Sequence, residues 1–228
     1  MKIYCMSDIH ACFESFEAAL ENVICHLDDD NTMLLLLGDY VHGGDSGRGV
    51  LDKIIHLQEQ YGNDKVMALM GNHEDMVIGG ESTIDSMYGG MQWYDNENAD
   101  DLYISWLSSL PRYYTEGNTI FVHAGIDETV GDMWEWETSD DIYTAKYPAE
   151  TGRIEGLDMK VVAGHVYTSE ISGDSTFNDI YYDGENHIYI DGDVLSTGVI
   201  PVLMVDTDTD SYYRITDGGC WLLTEYEE

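Results

Sequence analysis

Five apolar runs of strand length in this chain each stop at residues able to bind a cation, and that recurrence constrains the fold more than any other feature. Residues 1–7 run into Asp8 and His10, residues 32–37 into Asp39, and residues 65–70 into Asn72 and His73. Residues 119–122 run into His123, and residues 160–163 into His165. Between the first three runs lie segments of helical spacing. Residues 13–27 carry Phe13, Phe16, Ala19, Leu20, Val23, Ile24 and Leu27 on one face, and residues 50–61 follow the Gly-rich loop 43–49. A β-α-β-α-β alternation predicts a parallel sheet covered by helices. In such sheets ligands bind beyond the carboxyl ends of the strands. From residue 186 onward the pattern turns to strands, near 187–190, 199–205 and 212–216.

Taken singly, these polar residues have ordinary explanations. Asp8 or Asp39 alone reads as a strand-end turn residue, Asn72 as a turn or helix cap, and His123 or His165 as a hydrogen-bonded core histidine. Their repetition directly after apolar strands favours one shared site. Asp, Asn and His suit Mn, Fe, Zn or Ni, and a carboxylate can bridge two such ions. Two ions about 3.5–4 Å apart can hold a hydroxide and clamp a phosphoryl group.

The ordered motifs SDIH at 7–10, GDYV at 38–41, GNHE at 71–74, VHAG at 122–125 and GH at 164–165 resemble those of the calcineurin-like metallophosphoesterases. The VHAG form and the long β-rich C-terminal part are most similar to the bacterial branch containing Ser/Thr protein phosphatases and diadenosine tetraphosphatases. The resemblance implies an α/β fold: a four-layer αββα sandwich of two mixed sheets flanked by helices. It implies one domain over residues 1–228, with an irregular insertion at about 79–98 and a β-rich part at about 186–216. It implies one ion on Asp8, His10 and Asp39, and a second on Asp39, Asn72, His123 and His165, with Asp39 as the bridge. The pair is divalent or mixed-valence, drawn from Mn, Fe, Zn or Ni, with Mn the first choice in vitro. His73 matches the family's catalytic histidine, and Glu74 reads as a helix-start residue. The implied reaction is hydrolysis of phosphomonoesters, phosphoserine and phosphothreonine in proteins among them, by a hydroxide held between the ions. The alternatives are a dinucleoside polyphosphate hydrolase and a metal-holding regulatory protein with weak or lost catalysis.

One loop departs from the family pattern. GDxVDRG is expected, and GDYVHGG stands at 38–44. His42 replaces the acid that pairs with the catalytic histidine, and Gly43 replaces an arginine that grips phosphate bidentately. His42, able to titrate near neutrality, is expected to work with His73. Arg48, in the same loop, is the candidate replacement clamp among only four arginines, the others being Arg112, Arg153 and Arg214. Asp191, after Ile190, is expected near the site without being a ligand. Asp206, Asp208 and Asp210 read as an acidic hairpin turn, since a calcium loop needs Gly and Glu that are missing there. Trp93, Trp134 and Trp136 are expected to pack loops onto the core.

Charge excludes some partners. The 45 acidic residues against 9 basic ones give a formal charge of −36. Such a surface repels nucleic acid and anionic membranes, while a phosphorylated substrate, protein or small molecule, is the partner that the resemblance implies. No apolar run approaches the ~20 residues of a membrane span, and the start of the chain lacks the features of a signal peptide. A cytoplasmic protein with reduced, mostly buried cysteines is expected.

Overall fold

The computed structural model describes residues 1–85 and 97–227. The chain opens with β1 (Lys2–Met6), α1 (Phe13–Ile24), β2 (Thr32–Leu36), α2 (Gly47–Tyr61), β3 (Val66–Ala68) and α3 (Asn72–Ile78). It continues through α4 (Glu97–Leu107), β4 (Tyr113–Glu116), β5 (Thr119–Val122), a 3-10 turn at Glu128–Met133, α5 (Trp134–Glu137) and α6 (Asp140–Ala145). The remainder is β6 (Lys160–Tyr167), α7 (Thr168–Ser172), β7 (Tyr181–Tyr182), β8 (His187–Asp191), α8 (Val194–Thr197), β9 (Val202–Asp206), β10 (Ser211–Thr216) and β11 (Gly219–Leu222).

Among the described residues the strands form two sheets, ordered β11-β10-β9-β1-β2-β3 and β4-β5-β6-β8-β7. Both are mixed: in the first, β1, β2 and the edge strand β3 are parallel, while β9, β10 and β11 continue the sheet antiparallel on the other side of β1. In the second sheet β5, β6 and β8 are parallel, with β4 and β7 antiparallel at the edges. The two-residue period of a strand sends alternate side chains to opposite faces. Ile3, Cys5, Met33, Leu35, Leu203 and Val205 therefore meet Phe121, Val162, Ile188 and Ile190 between the sheets. The outer faces are covered by helices. Tyr4, Met6, Leu34 and Leu36 pack with Phe16, Leu20, Val23, Leu51 and Ile54, and Ile120, Val122, Val161 and Tyr189 pack with Trp134 and Tyr143. This is the α/β four-layer sandwich of two mixed sheets flanked by helices.

Several boundaries differ from those expected. β6 does not stop at residue 163 but continues to Tyr167 through an irregularity in its pairing with β8. β9 starts at Val202, after α8 and four residues that belong to no element. The edge strand β11 lacks apolar alternation facing a core, and its residues are exposed. Asp206, Asp208 and Asp210 do lie at the turn between β9 and β10. Of the irregular stretch at 79–98, the part from 86 to 96, with Trp93, lies outside the described residues. Trp134 is buried in the outer core, while Trp136 is 73% exposed and packs no loop. Of the four free cysteines only Cys5 is buried; Cys12 is half-buried, and Cys25 and Cys220 are exposed, at a helix end and in the edge strand. No helix of the described residues is long and apolar enough to cross a membrane.

A buried ion network ties β8 to the covering loops. His187, 1% exposed, holds Asp183 at 2.8 Å through Nδ1 and Glu128 at 3.1 Å through Nε2. Lys146 also donates to Glu128, at 2.5 Å. Burial disfavours the imidazolium, but the two carboxylates outweigh it and lift His187 to about 9. A raised folded-state value contributes stability that is complete below the unfolded value of 6.5 and is lost as pH rises through about 9. The margin by which the wild type exceeds His187→Gln, roughly 3 kcal/mol at slightly acid pH, is thus expected to shrink steadily as pH rises from 6.5 through about 9. Urea unfolding of both proteins across that range checks it.

Candidate metal centre

The five strand ends converge. Asp8 and His10 follow β1, Asp39 follows β2, Asn72 and His73 open α3 after β3, His123 follows β5, and His165 lies in β6 at the irregularity. Both sheets thus supply side chains to one place. The backbone there is bent sharply. Asp8, His10, Ala11, Asp39, His42 and His165 all have positive φ, between 47° and 68°. Residues other than glycine rarely adopt that conformation, at a cost of about 1 kcal/mol or more each, and such strain gathers at functional sites. It is held by hydrogen bonds from the amides of Asp8, His10 and Ala11 to the carbonyls of Gly38, Asp39 and Tyr40.

Glu74 is the main brace, a role beyond the helix start read from the sequence. It is fully buried and accepts from the amides of Asp39 (2.7 Å), Tyr40 (2.8 Å), Gly71 (3.0 Å) and Val41 (3.4 Å). Burial pushes its pKa up, to about 8, and the charge of Asp39 adds to this, while the amides pull it down. Four N–H donors leave no place for a carboxyl proton, so the carboxylate is the form that fits. Gly38 completes the join. A Cβ there would lie 2.7 Å from the Gly71 backbone and 2.9 Å from His123 Nδ1, and φ is +105°.

Asp39 Oδ2 is the hub. It lies 3.4 Å from His123 Nε2 and 3.8 Å from both His10 Nε2 and His73 Nε2. Its other oxygen accepts the His73 amide at 3.0 Å. Asn72 presents its inner amide atom 3.1 Å from His123 Nε2 and His165 Nδ1, and 3.3 Å from Asp39 Oδ2 and the Thr144 carbonyl. Four lone-pair atoms surround that one atom, and an NH₂ group has two hydrogens for them. A cation satisfies such an arrangement with the amide oxygen turned inward. Bonds of about 2.1 Å leave ligand atoms about 3.4 Å apart, which matches these spacings. Asp39, His123 and His165 form one group whose ligand atoms lie within 4.8 Å of one another, and His10, Asp39 and His73 form a second. Asp8 stands a little apart. Its Oδ2 accepts the His165 amide at 3.0 Å, and its Oδ1, 3.9 Å from His10 Nε2, is buried without a partner. The donor set fits a cation pair.

The outer contacts choose the tautomers. His123 Nδ1–H donates to the Leu37 carbonyl at 2.9 Å, which leaves Nε2 bare toward Asp39. Burial opposes charge on His123, yet the Asp39 carboxylate outweighs it and lifts the ring to about 10. A cation competes with that proton, so binding strengthens as pH rises. Burial, then His123, lowers His165. Burial alone would raise Asp39, but the histidines hold it well below the carboxylate range.

His42 and His73 do pair, Nδ1 to Nδ1 at 2.8 Å. His42 Nε2 meets the Thr83 carbonyl at 2.8 Å and Ser82 Oγ at 3.1 Å. A carbonyl only accepts, so the His42 proton sits on Nε2. Burial, with His73 beside it, keeps the ring neutral, with a pKa of about 4. His42 Nδ1 therefore accepts from His73 Nδ1–H, and His73 Nε2 faces the hub. Both nitrogens of His42 are engaged, so it orients His73 and has no N–H left for phosphate. Arg48 is not brought to the cluster: its side chain pairs with Asp85, and its amide is bonded to the same carboxylate. Arg112 holds Asp75 and Asp140, Arg153 holds Asp158, and Arg214 holds Asp179. Asp191 is 1% exposed. One of its oxygens accepts the Asp193 amide and the other is unpartnered, and burial, then the nearby Asp8, raises its pKa.

The calcineurin-like phosphoesterase family model matches residues 1–195 of this geometry. The chain belongs to that family. Among curated relatives, a symmetrical bis(5'-nucleosyl)-tetraphosphatase of Nitrosospira multiformis is 28% identical over 129 residues, covering 55% of this chain and 44% of the relative. One from Wigglesworthia glossinidia brevipalpis is 27% identical over 150 residues, covering 64% and 50%. This calcineurin-like chain thus spans about half the length of the curated relatives it matches. Among solved structures, a cold-active protein-tyrosine phosphatase of a psychrophilic Shewanella species superposes with a TM-score of 0.68 at 18% identity, covering 98% of this chain and 80% of that one. A protein serine/threonine phosphatase of Saccharomyces cerevisiae gives 0.62 at 14%, covering 100% and 81%. At such identities these two show a shared fold.

Two substitutions probe the braces. Glu74→Gln turns an NH₂ toward backbone donors and is expected to cost roughly 2–4 kcal/mol in urea unfolding. His42→Ala removes the acceptor for His73 Nδ1–H and is expected to lower kcat about 100-fold and alter its pH profile, with KM little changed. An unaltered rate and profile would show that His42 only fills space.

Proposed function

We propose that this calcineurin-like phosphoesterase is a metal-dependent hydrolase of phosphoester or phosphoanhydride bonds, with Asp8, His10, Asp39, Asn72, His123 and His165 as its cation ligands. The observation that carries the reading is Asp39 Oδ2 at the centre of three imidazole Nε2 atoms. Divalent ions bound there supply Lewis acidity and an activated water. The chain's own residues do the rest. Asp39 draws from both sheets the ligands that place the reacting phosphoryl. His42 holds the Nδ1 proton of His73, which turns the bare His73 Nε2 toward the hub, where it takes and returns a proton during the reaction. Residues 1–228 act as one domain in this reading, since the cluster needs both sheets.

The names of the curated relatives support dinucleoside polyphosphate hydrolysis better than the phosphoserine and phosphothreonine reading. The favoured substrate is therefore a dinucleoside tetraphosphate, with manganese as the first metal to test. A panel of phosphopeptide and diadenosine tetraphosphate, run with Mn, Fe, Zn and Ni, is expected to show turnover of the latter. Preference for the phosphopeptide would reverse the order of the two readings. Asp39→Asn is expected to lose both ions by elemental analysis and to lower activity by at least 1,000-fold, on the order of 4 kcal/mol of transition-state stabilisation. Two fully occupied ions in that variant would remove the site proposal.

A further inference from the structure

Two of the four free cysteines, Cys25 and Cys220, are distant in sequence and lie outside the hub cluster. Both are exposed. Cys25 caps the C-terminal end of α1, and Cys220 sits in β11, the last strand on one side of its sheet. The packing of α1 on that sheet brings them together.

One contact sets the register of helix against sheet. Asn22 Nδ2 of α1 donates to Asp217 Oδ1, at the turn between β10 and β11, at 3.3 Å. A cleft there is lined by Ser15, Ala18 and Asn22 on one side and by Ile215, Thr216 and Asp217 on the other. Residues three or four apart share a helix face, so the stripe Ser15, Ala18, Asn22 continues to Cys25. Cys220 is paired with Ile215, which packs against the helix-covered core. Residues directly opposite in an antiparallel pair point to the same face, so Cys220 also looks toward α1.

Direction completes the match. A helix that joins two parallel strands runs back against them, as α1 does between β1 and β2. β10 is parallel to β1 by way of β9, and β11 reverses again. From the Asn22–Asp217 contact, α1 and β11 therefore run the same way. Three helical residues advance about 4.5 Å. The two ladder steps from Asp217 back to Ile215, the partner of Cys220, cover about 6.6 Å. The two thiols come abreast. Tyr4 of β1 marks the same spot: His26, next to Cys25, stacks on its ring at 5.3 Å. Burial pushes the Tyr4 hydroxyl up to about 12, and Cys220 and then Cys25 add to the rise. One hydroxyl feels both thiols.

We propose that Cys25 and Cys220 form a redox-sensitive pair that closes to a disulfide stapling α1 to β11. This goes beyond the hydrolase reading and does not depend on it. The oxidant is a low-molecular-weight disulfide, such as glutathione disulfide. One cysteine thiolate attacks a sulfur of glutathione disulfide, whose S–S bond breaks and releases one glutathione thiolate. The other cysteine thiolate attacks the protein sulfur of the mixed disulfide and releases the second glutathione. Two protein thiols lose two electrons, and their protons end on the two glutathione thiols. The new bond encloses residues 25–220, so it restrains the unfolded chain over most of its length. It also ties down β11, whose residues are otherwise exposed.

The test incubates the full chain with glutathione disulfide at about pH 8, then reads intact mass and a peptide map without reductant. The wild type is expected to lose two hydrogens and to yield a peptide pair linked through Cys25 and Cys220. Its Tm is expected to rise by about 5–10 °C and to fall back with dithiothreitol. Cys25→Ser and Cys220→Ser are each expected to lose that rise and to leave the remaining thiol as a glutathione adduct. Cys12→Ser is expected to keep both the link and the rise. Stable glutathione adducts on both cysteines of the wild type, a disulfide joining two chains, or thiols left unreacted would overturn the pairing. A link that leaves Tm unchanged would overturn its role as a staple.

Discussion

The carboxylate of Asp39 is placed where few carboxylates can be placed, and much of the molecule exists to keep it there. It is 2% exposed, on a residue with φ of 57°, at the end of a fully buried strand. Left alone, burial would protonate it. The histidines around it supply the opposing charge, and Glu74 fixes its backbone through two adjacent amides. Glu74 is itself a buried acid that survives only because the peptide groups it holds are donors. The two acids thus depend on each other indirectly: one orders the loop, and the other uses the order.

A second dependence runs between the sheets. Gly38 fits between the Gly71 backbone and the ring of His123 because it has no Cβ. That closeness brings a ligand from the second sheet within reach of a hub on the first. The apolar layer between the sheets sets their spacing, and the polar cluster at its edge reads that spacing.

Much of this was legible in the chain. Strand runs that end in Asp, Asn or His carried both the alternation and the place where those residues converge, because the period of a strand and the chemistry of a side chain are local properties. The pairing of His42 with His73 was also legible, from a single substituted position in one loop. What escaped was what depends on distance in three dimensions. Glu74 looked like a helix-start residue, since nothing in the order of residues says that its side chain turns back onto 39–41. Arg48 looked like a phosphate grip because it shares a loop with Gly43, but Asp85, 37 residues away, takes its charge.

The hub draws its neighbours from both halves of the sandwich, so an ion seated there would work as a clasp. Anything that binds the assembled ligands and not the unfolded chain adds stability by mass action. The cluster joins the end of β2 in one sheet to the end of β5 and to β6 in the other. Under the proposed function, divalent ion concentration would then set how firmly the two sheets stay closed, and a chelator would act on the whole sandwich as well as on its reaction.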